Sequence, residues 1–110
     1  MELVNIEISD KIAKISLNNG KVNAISHQVL EELNAALDQA QEAKAVVILS
    51  GKEGILSGGY DLKTMQKSMT DAMALVTEGS KFTRRMMAFP FPIIVACTGH
   101  AVAKGGFLLL

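Results

Sequence analysis

Hydrophobic and polar residues follow different periods along this chain, and each period predicts a different element. Near the start, apolar residues recur at roughly every second position from Leu3 to Ile8 and from Ile12 to Leu17. A turn at Ser9-Asp10-Lys11 separates the two stretches, so the pattern predicts a β-hairpin. After Ser26, apolar residues recur every three or four positions with charged and amide residues between them. This spacing predicts an amphipathic helix capped by Ser26.

Two continuous apolar runs, Ala45 to Leu49 and Ile93 to Cys97, have a different character. Both are rich in β-branched residues, and each predicts a strand buried on both faces. A glycine-bearing turn and a helix start follow each run, with Gly58-Gly59 in the first turn and Gly105-Gly106 in the second. The order strand, helix, strand predicts a largely parallel sheet and an α/β fold. Neighbouring strands would place both turns at one sheet edge, where main-chain N–H groups can converge on one oxygen.

The first glycine turn carries the candidate chemistry of the chain. Two adjacent glycines allow N–H groups to approach a ligand closely, and Asp61 is expected to cap a short helix that ends near Lys67. Such a turn can bind an anion or stabilise an oxyanion. An ordinary strand-to-helix connection is the alternative, and a glycine pair alone does not separate the two. Thr70 is expected to cap a longer helix, in a region whose methionines either fill the core or line an apolar substrate pocket.

Composition narrows the class of protein. The 110 residues carry 11 basic and 11 acidic side chains, so we expect no nucleic-acid partner. No apolar run approaches the roughly 20 residues of a membrane span, and the first ten residues lack the basic stretch of a secretory leader. We therefore expect a soluble, cytoplasmic protein without a metal site. The single cysteine, Cys97, is expected to be a buried, unreactive thiol.

Three segments together resemble the enoyl-CoA hydratase/isomerase family, also called the crotonase family. They are Lys21 to Ser26, Ile55 to Lys63, and Phe89 to Ala96 with its continuation Gly99 to Gly106. The resemblance implies an α/β fold of the crotonase-like (ClpP/crotonase) type, a spiral of repeated ββα units. Residues 1–110 would then be the N-terminal part of a single, apparently truncated domain. It also implies an acyl-CoA thioester as ligand, no cofactor beyond coenzyme A itself, and a homo-oligomer, either a trimer or a dimer of trimers.

The same resemblance implies the site residues. The backbone N–H groups of Gly58 and Lys104 would form an oxyanion hole that holds the thioester oxygen as it gains negative charge. Coenzyme A is expected to lie against two loops and one further glycine, at Lys21, Val22, Ala24, Leu56, Gly58, Gly59, Tyr60, Asp61, Leu62 and Gly99.

The position of the catalytic acid separates the possible functions. Family hydratases carry a glutamate three residues beyond the second donor, and this chain has Phe107 there, which cannot transfer a proton. We therefore expect isomerisation, hydrolysis or another reaction through a thioester enolate. One alternative is an inactive, truncated relative that binds coenzyme A weakly or associates with related subunits. A βαβ nucleotide-binding half-domain is a weaker alternative, because no GxGxxG motif follows a strand.

Overall fold

A computed structural model describes residues 3–97 and 99–101, and nine elements lie within them. In chain order they are β1 (Val4–Ser9), β2 (Ile12–Leu17), α1 (His27–Glu42), β3 (Val46–Ser50), β4 (Gly54–Ser57), α2 (Leu62–Lys67), α3 (Met69–Ala88), β5 (Ile93–Ala96) and β6 (Gly99–Ala101). None of the helices in these described ranges is long and apolar enough to cross a bilayer.

Four of the strands form one mixed sheet in the order β1-β2-β3-β5. The predicted hairpin is confirmed, because β1 and β2 pair antiparallel through a two-residue turn. Asp10 and Lys11 in that turn both have positive φ, 50° and 62°, as the tightest hairpin turns require. The predicted parallel pairing is also confirmed, since β2 pairs with β3 and β3 pairs with β5 in parallel register.

The core lies between this sheet and the helices α1 and α3. The predicted stripe of α1 faces it, and the Ser26 hydroxyl caps the helix by accepting a hydrogen bond from the Val29 amide at 3.2 Å. Among the described residues, the buried hydrophobic cluster comprises Val4, Ala13, Ile15, Leu17, Ile25, Val29, Leu30, Leu33, Ala36, Leu37, Ala40, Ala45, Val47, Leu49, Leu75 and Phe82. At about 25 cal/mol per Å² of apolar surface, burial of this kind is the main favourable term in folding.

Three sequence-based expectations about burial and capping are wrong. The β3 and β5 strands are not buried on both faces, since alternate residues of β3 are only half-buried and Ile94 in β5 is 55% exposed. Within the described residues the helices cover one face of this sheet, and β5 lies at its edge. Cys97 is exposed for the same reason, because it follows the end of the edge strand. The α3 helix is capped by Ser68 rather than Thr70, because the extended Ser68 places its hydroxyl 3.0 Å from the Asp71 amide.

The Glu32 carboxylate joins α1 to the first strand. It accepts hydrogen bonds from the Leu3 and Val4 amides at 2.9 and 3.1 Å and from Gln28 at 3.0 Å. Partial burial raises the pKa of Glu32, but these hydrogen bonds outweigh it and lower the pKa below its ordinary value.

We expect Glu32→Gln to lower the free energy of unfolding by about 1 kcal/mol near neutral pH, because the amide is a weaker acceptor for two main-chain N–H groups. A lowered folded-state pKa means that the stabilisation is present above the ordinary glutamate pKa of about 4.3 and is lost as the pH falls through the folded value. Urea unfolding of the wild-type and Glu32→Gln proteins, from near-neutral pH to below the folded-state pKa of Glu32, checks the prediction. A difference that stays constant down to the lowest pH would contradict it.

Candidate functional site

A second, two-stranded sheet leads into the first glycine turn. The strands β4 and β6 pair in parallel, with Gly54 opposite Gly99 and Ser57 opposite Ala101. The turn at Gly58-Gly59 therefore begins at the end of β4, beside the last residue of β6. The sequence analysis predicted neighbouring parallel strands before the turns, but it missed that β4 and β6 intervene. The rest of the second turn, with Lys104, lies outside the described residues.

The first turn needs both of its glycines. Gly59 has φ +99°, a backbone conformation that side chains rarely adopt. A Cβ atom on Gly58 would lie 3.0 Å from the Val22 carbonyl oxygen and 3.1 Å from the Val22 Cβ atom. Gly58 is therefore a point of close approach between the turn and the loop around Val22.

Main-chain hydrogen bonds hold the turn to that loop. The Gly58 N–H donates to Val22 O at 2.7 Å, Ile25 N–H donates to Gly59 O at 2.8 Å, and Asp61 N–H donates to Ile25 O at 2.9 Å. The structure thus brings together the two segments that the sequence analysis selected for coenzyme A, Lys21 to Ala24 and Leu56 to Leu62.

The Gly58 amide is already satisfied inside the protein. Its short hydrogen bond to the Val22 carbonyl uses the N–H group that was expected to face a thioester oxygen. Gly59 N–H in turn donates to the Ser57 hydroxyl at 3.1 Å. Gly58 can act as an oxyanion donor only if a ligand oxygen replaces the Val22 carbonyl as its acceptor.

Two fully buried polar side chains, missed by the sequence analysis, fix the turn and the loop to each other. Asn23 donates to Leu17 O at 2.9 Å and to Leu56 O at 3.3 Å. Its own Oδ1 accepts from the Asn19 amide at 2.7 Å. The Ser57 hydroxyl donates to Asn23 O at 2.8 Å. Asn23 also has φ +51°, which asparagine tolerates better than most residues; an asparagine in a loop between apolar positions was the available signal.

The other candidate residues have different surroundings. Val22 and Leu62 are 53% and 70% exposed, and Lys21 is exposed as well. Leu56 is 2% exposed, so its side chain and main chain are both buried, and its carbonyl accepts from Asn23 Nδ2 at 3.3 Å. Ala24 is half-buried and its carbonyl accepts from Asn19 Nδ2 at 2.7 Å.

Asp61 caps α2, as expected. Its Oδ2 accepts from the Thr64 amide at 3.1 Å and from the Thr64 hydroxyl at 2.8 Å. This carboxylate is therefore committed to the helix end. His27 is exposed in the first turn of α1. Among residues 3–97 and 99–101, no three His, Cys, Asp or Glu side chains are grouped to hold a metal ion.

Comparison with known proteins identifies the family. The profile described as "Enoyl-CoA hydratase/isomerase" matches residues 7–110. The chain belongs to the enoyl-CoA hydratase/isomerase family. Among curated members of the family, a probable enoyl-CoA hydratase of Bacillus subtilis is 32% identical over 109 residues. That alignment covers 96% of this chain and 42% of the relative. The probable enoyl-CoA hydratase EchA17 of Mycobacterium tuberculosis is 31% identical, with 99% and 45% covered.

Solved structures of the family share this fold. An enoyl-CoA hydratase/isomerase family protein from Pseudomonas syringae superimposes with a TM-score of 0.96 at 59% identity, covering 97% of this chain and 46% of that one. The probable enoyl-CoA hydratase EchA3 of Mycobacterium tuberculosis gives 0.93 at 36% identity, with 98% and 47% covered. The predicted crotonase-like α/β fold is therefore confirmed, and the chain spans less than half the length of these relatives.

Proposed function

We propose that the chain is part of an acyl-CoA enzyme in which the turn after β4 holds the thioester carbonyl. The observation that supports this most strongly is the parallel pairing of β4 with β6, with Ser57 opposite Ala101. It brings the ends of the two strands that precede the glycine turns to one edge. Amide donors from both turns can then meet at a single oxygen atom, which is the arrangement an oxyanion requires.

The proposed chemistry proceeds through an enolate. Removal of a proton next to the thioester carbonyl places negative charge on its oxygen, and fixed N–H donors stabilise that charge. One such donor is typically worth about 2.7–4 kcal/mol of barrier. We assign the donors to the Gly58 and Lys104 amides; the Gly58 N–H exchanges its bond to Val22 O for one to the substrate. With Phe107 at the hydratase glutamate position, isomerisation through this enolate is favoured over hydration; hydrolysis, the other candidate, would place the charge on the same oxygen in a tetrahedral intermediate.

Coenzyme A is assigned to the surface formed by the loop at 21–24 and the turn at 58–62. The exposed Lys21, Val22 and Leu62 side chains of this surface supply one charge for a phosphate and two apolar contacts for the pantetheine.

We also propose a homo-oligomer. Exposed apolar side chains on α3, with Met69 at 77% and Met87 at 81%, are compatible with such contacts.

Calorimetric titration with a short-chain acyl-CoA tests the proposal. We expect saturable heat and competition by free coenzyme A. Lys21→Ala should weaken binding by up to about fivefold, since an exposed charge contributes at most about 1 kcal/mol. Lys14→Ala is the matched control, because Lys14 is an exposed lysine of β2 outside this surface. Absence of heat, or equal losses in both variants, would count against the assignment. Binding of the acyl-CoA without its conversion to product would favour the alternative that the chain is an inactive, truncated relative.

A further inference from the structure

The long helix α3 has a gap in the middle of its buried stripe. Leu75 and Phe82 are 0% and 2% exposed, and the buried Gly79 lies between them, about one turn from each. Glycine is among the least favourable residues for a helix interior. A helix that keeps glycine at such a position commonly does so because another group needs the space.

The Tyr60 side chain occupies that space. A Cβ atom on Gly79 would collide with the Tyr60 hydroxyl and lie 2.8 Å from the ring atoms Cε1 and Cζ. Tyr60 is half-buried and packs against the hydrophobic core, and this burial raises the pKa of its phenol. The ring thus sits directly on the α3 backbone at the one position of the stripe without a side chain.

Tyr60 also belongs to the glycine turn. The hydrogen bonds Ile25 N–H to Gly59 O and Asp61 N–H to Ile25 O flank it at 2.8 and 2.9 Å. Its backbone is therefore fixed to the loop at 21–25 while its side chain is fixed to α3. A change at Gly79 must move the ring, and the ring can move only with the turn or by rotating out of the core.

We propose that the contact between Tyr60 and Gly79 sets the conformation of the turn at 58–61 and so fixes the position of the Gly58 amide that is proposed to bind the thioester oxygen. Both are positioning residues. The inference rests on the proposed function, in that the turn is taken to bind an acyl-CoA. It predicts that a change in the interior of α3 alters recognition of the thioester more than recognition of coenzyme A itself.

The first test needs no ligand. We expect Gly79→Ala to move the ¹⁵N–¹H amide resonances of Ile25 and of Gly58 to Asp61. Ser80→Ala is the matched control, since the exposed Ser80 is the next residue of the same helix. Resonance changes confined to α3 in the folded Gly79→Ala protein would overturn the proposal.

The second test compares ligands. Gly79→Ala should weaken acyl-CoA binding by about tenfold, equivalent to 1.4 kcal/mol, and free coenzyme A by less than about threefold. Adding Tyr60→Leu to Gly79→Ala removes the collision with the tyrosine hydroxyl. The double variant should therefore unfold at the same urea concentration as the wild type, but it should not regain the preference for acyl-CoA over free coenzyme A. If Gly79→Ala does not fold, Tyr60→Leu alone should lose the same preference.

The two proposals fail in different ways. A wild-type protein that binds no acyl-CoA overturns the proposed function, and the amide resonances then still decide whether Gly79 controls the turn. A wild-type protein that binds acyl-CoA, with a folded Gly79→Ala variant of unchanged preference, overturns the positioning role. Full recovery of the preference in the double variant would also overturn it, because the ring would then not be needed.

Discussion

Replacement of Gly99 with alanine is expected to lower the free energy of unfolding by about 3 kcal/mol or more, through overpacking and backbone strain together. The added Cβ atom would overlap the Gly54 carbonyl group and lie 2.6 Å from Ile55 N. These are main-chain atoms of the paired strand, so no side-chain rotation relieves the overlap. Gly99 also has φ +149°, which alanine adopts only with strain.

The same substitution should abolish acyl-CoA binding, because it separates β6 from β4, and the proposed site depends on that pairing. Gly20→Ala is the control. Gly20 has φ +64°, but a Cβ atom there would meet nothing within 4 Å, so strain alone should cost about 1 kcal/mol. Urea unfolding followed by circular dichroism measures both losses. Equal losses in the two variants would contradict the close packing of β4 against β6.

The second large effect is expected for Asn23→Asp, which should lower the free energy of unfolding by about 3 kcal/mol at neutral pH. The side chain is fully buried and donates to Leu17 O and Leu56 O. Aspartate keeps the acceptor for the Asn19 amide, but it replaces both donated hydrogen bonds with a carboxylate oxygen facing two carbonyl oxygens. The buried charge is then uncompensated, which is costly.

The loss at position 23 should shrink as the pH falls. Burial among carbonyl oxygens raises the pKa of the new carboxyl in the folded state, so the folded protein binds the proton more tightly and gains stability at acidic pH. Asn5→Asp makes the same chemical change at an exposed position of β1 and should cost little. A similar, pH-independent loss in both variants would show that the Asn23 hydrogen bonds do not hold the loop.

Local signals in the sequence predicted much of the scaffold. The stripe of α1, the cap residues Ser26 and Asp61 and the β1–β2 hairpin depend on near neighbours in the chain, and the structure confirms them. Ser68 and Thr70 offer the same hydroxyl chemistry. The extended backbone at Ser68 decides which of them caps α3, and a sequence pattern does not carry that information.

The site itself depends on contacts between distant segments. The strand β4 has only four residues and begins with a glycine, so it shows no usable period, and its partner β6 lies more than 40 residues away. The burial of Asn23 and the hydrogen bond from Gly58 to Val22 likewise arise from packing of one loop on another. Residue types selected the loop and the turn that the structure brings together, whereas the hydrogen-bond partner of each amide required the fold.

The carbonyl ¹³C resonance of a labelled acyl-CoA tests the central claim most directly, because it reports on the oxygen that the turn is proposed to hold. Hydrogen bonds from the main chain should polarise the thioester carbonyl, and its resonance should move to higher frequency as the protein is added. Saturable binding that leaves this resonance unchanged would show that the ligand lies on the protein without engaging these amides, and would contradict the account.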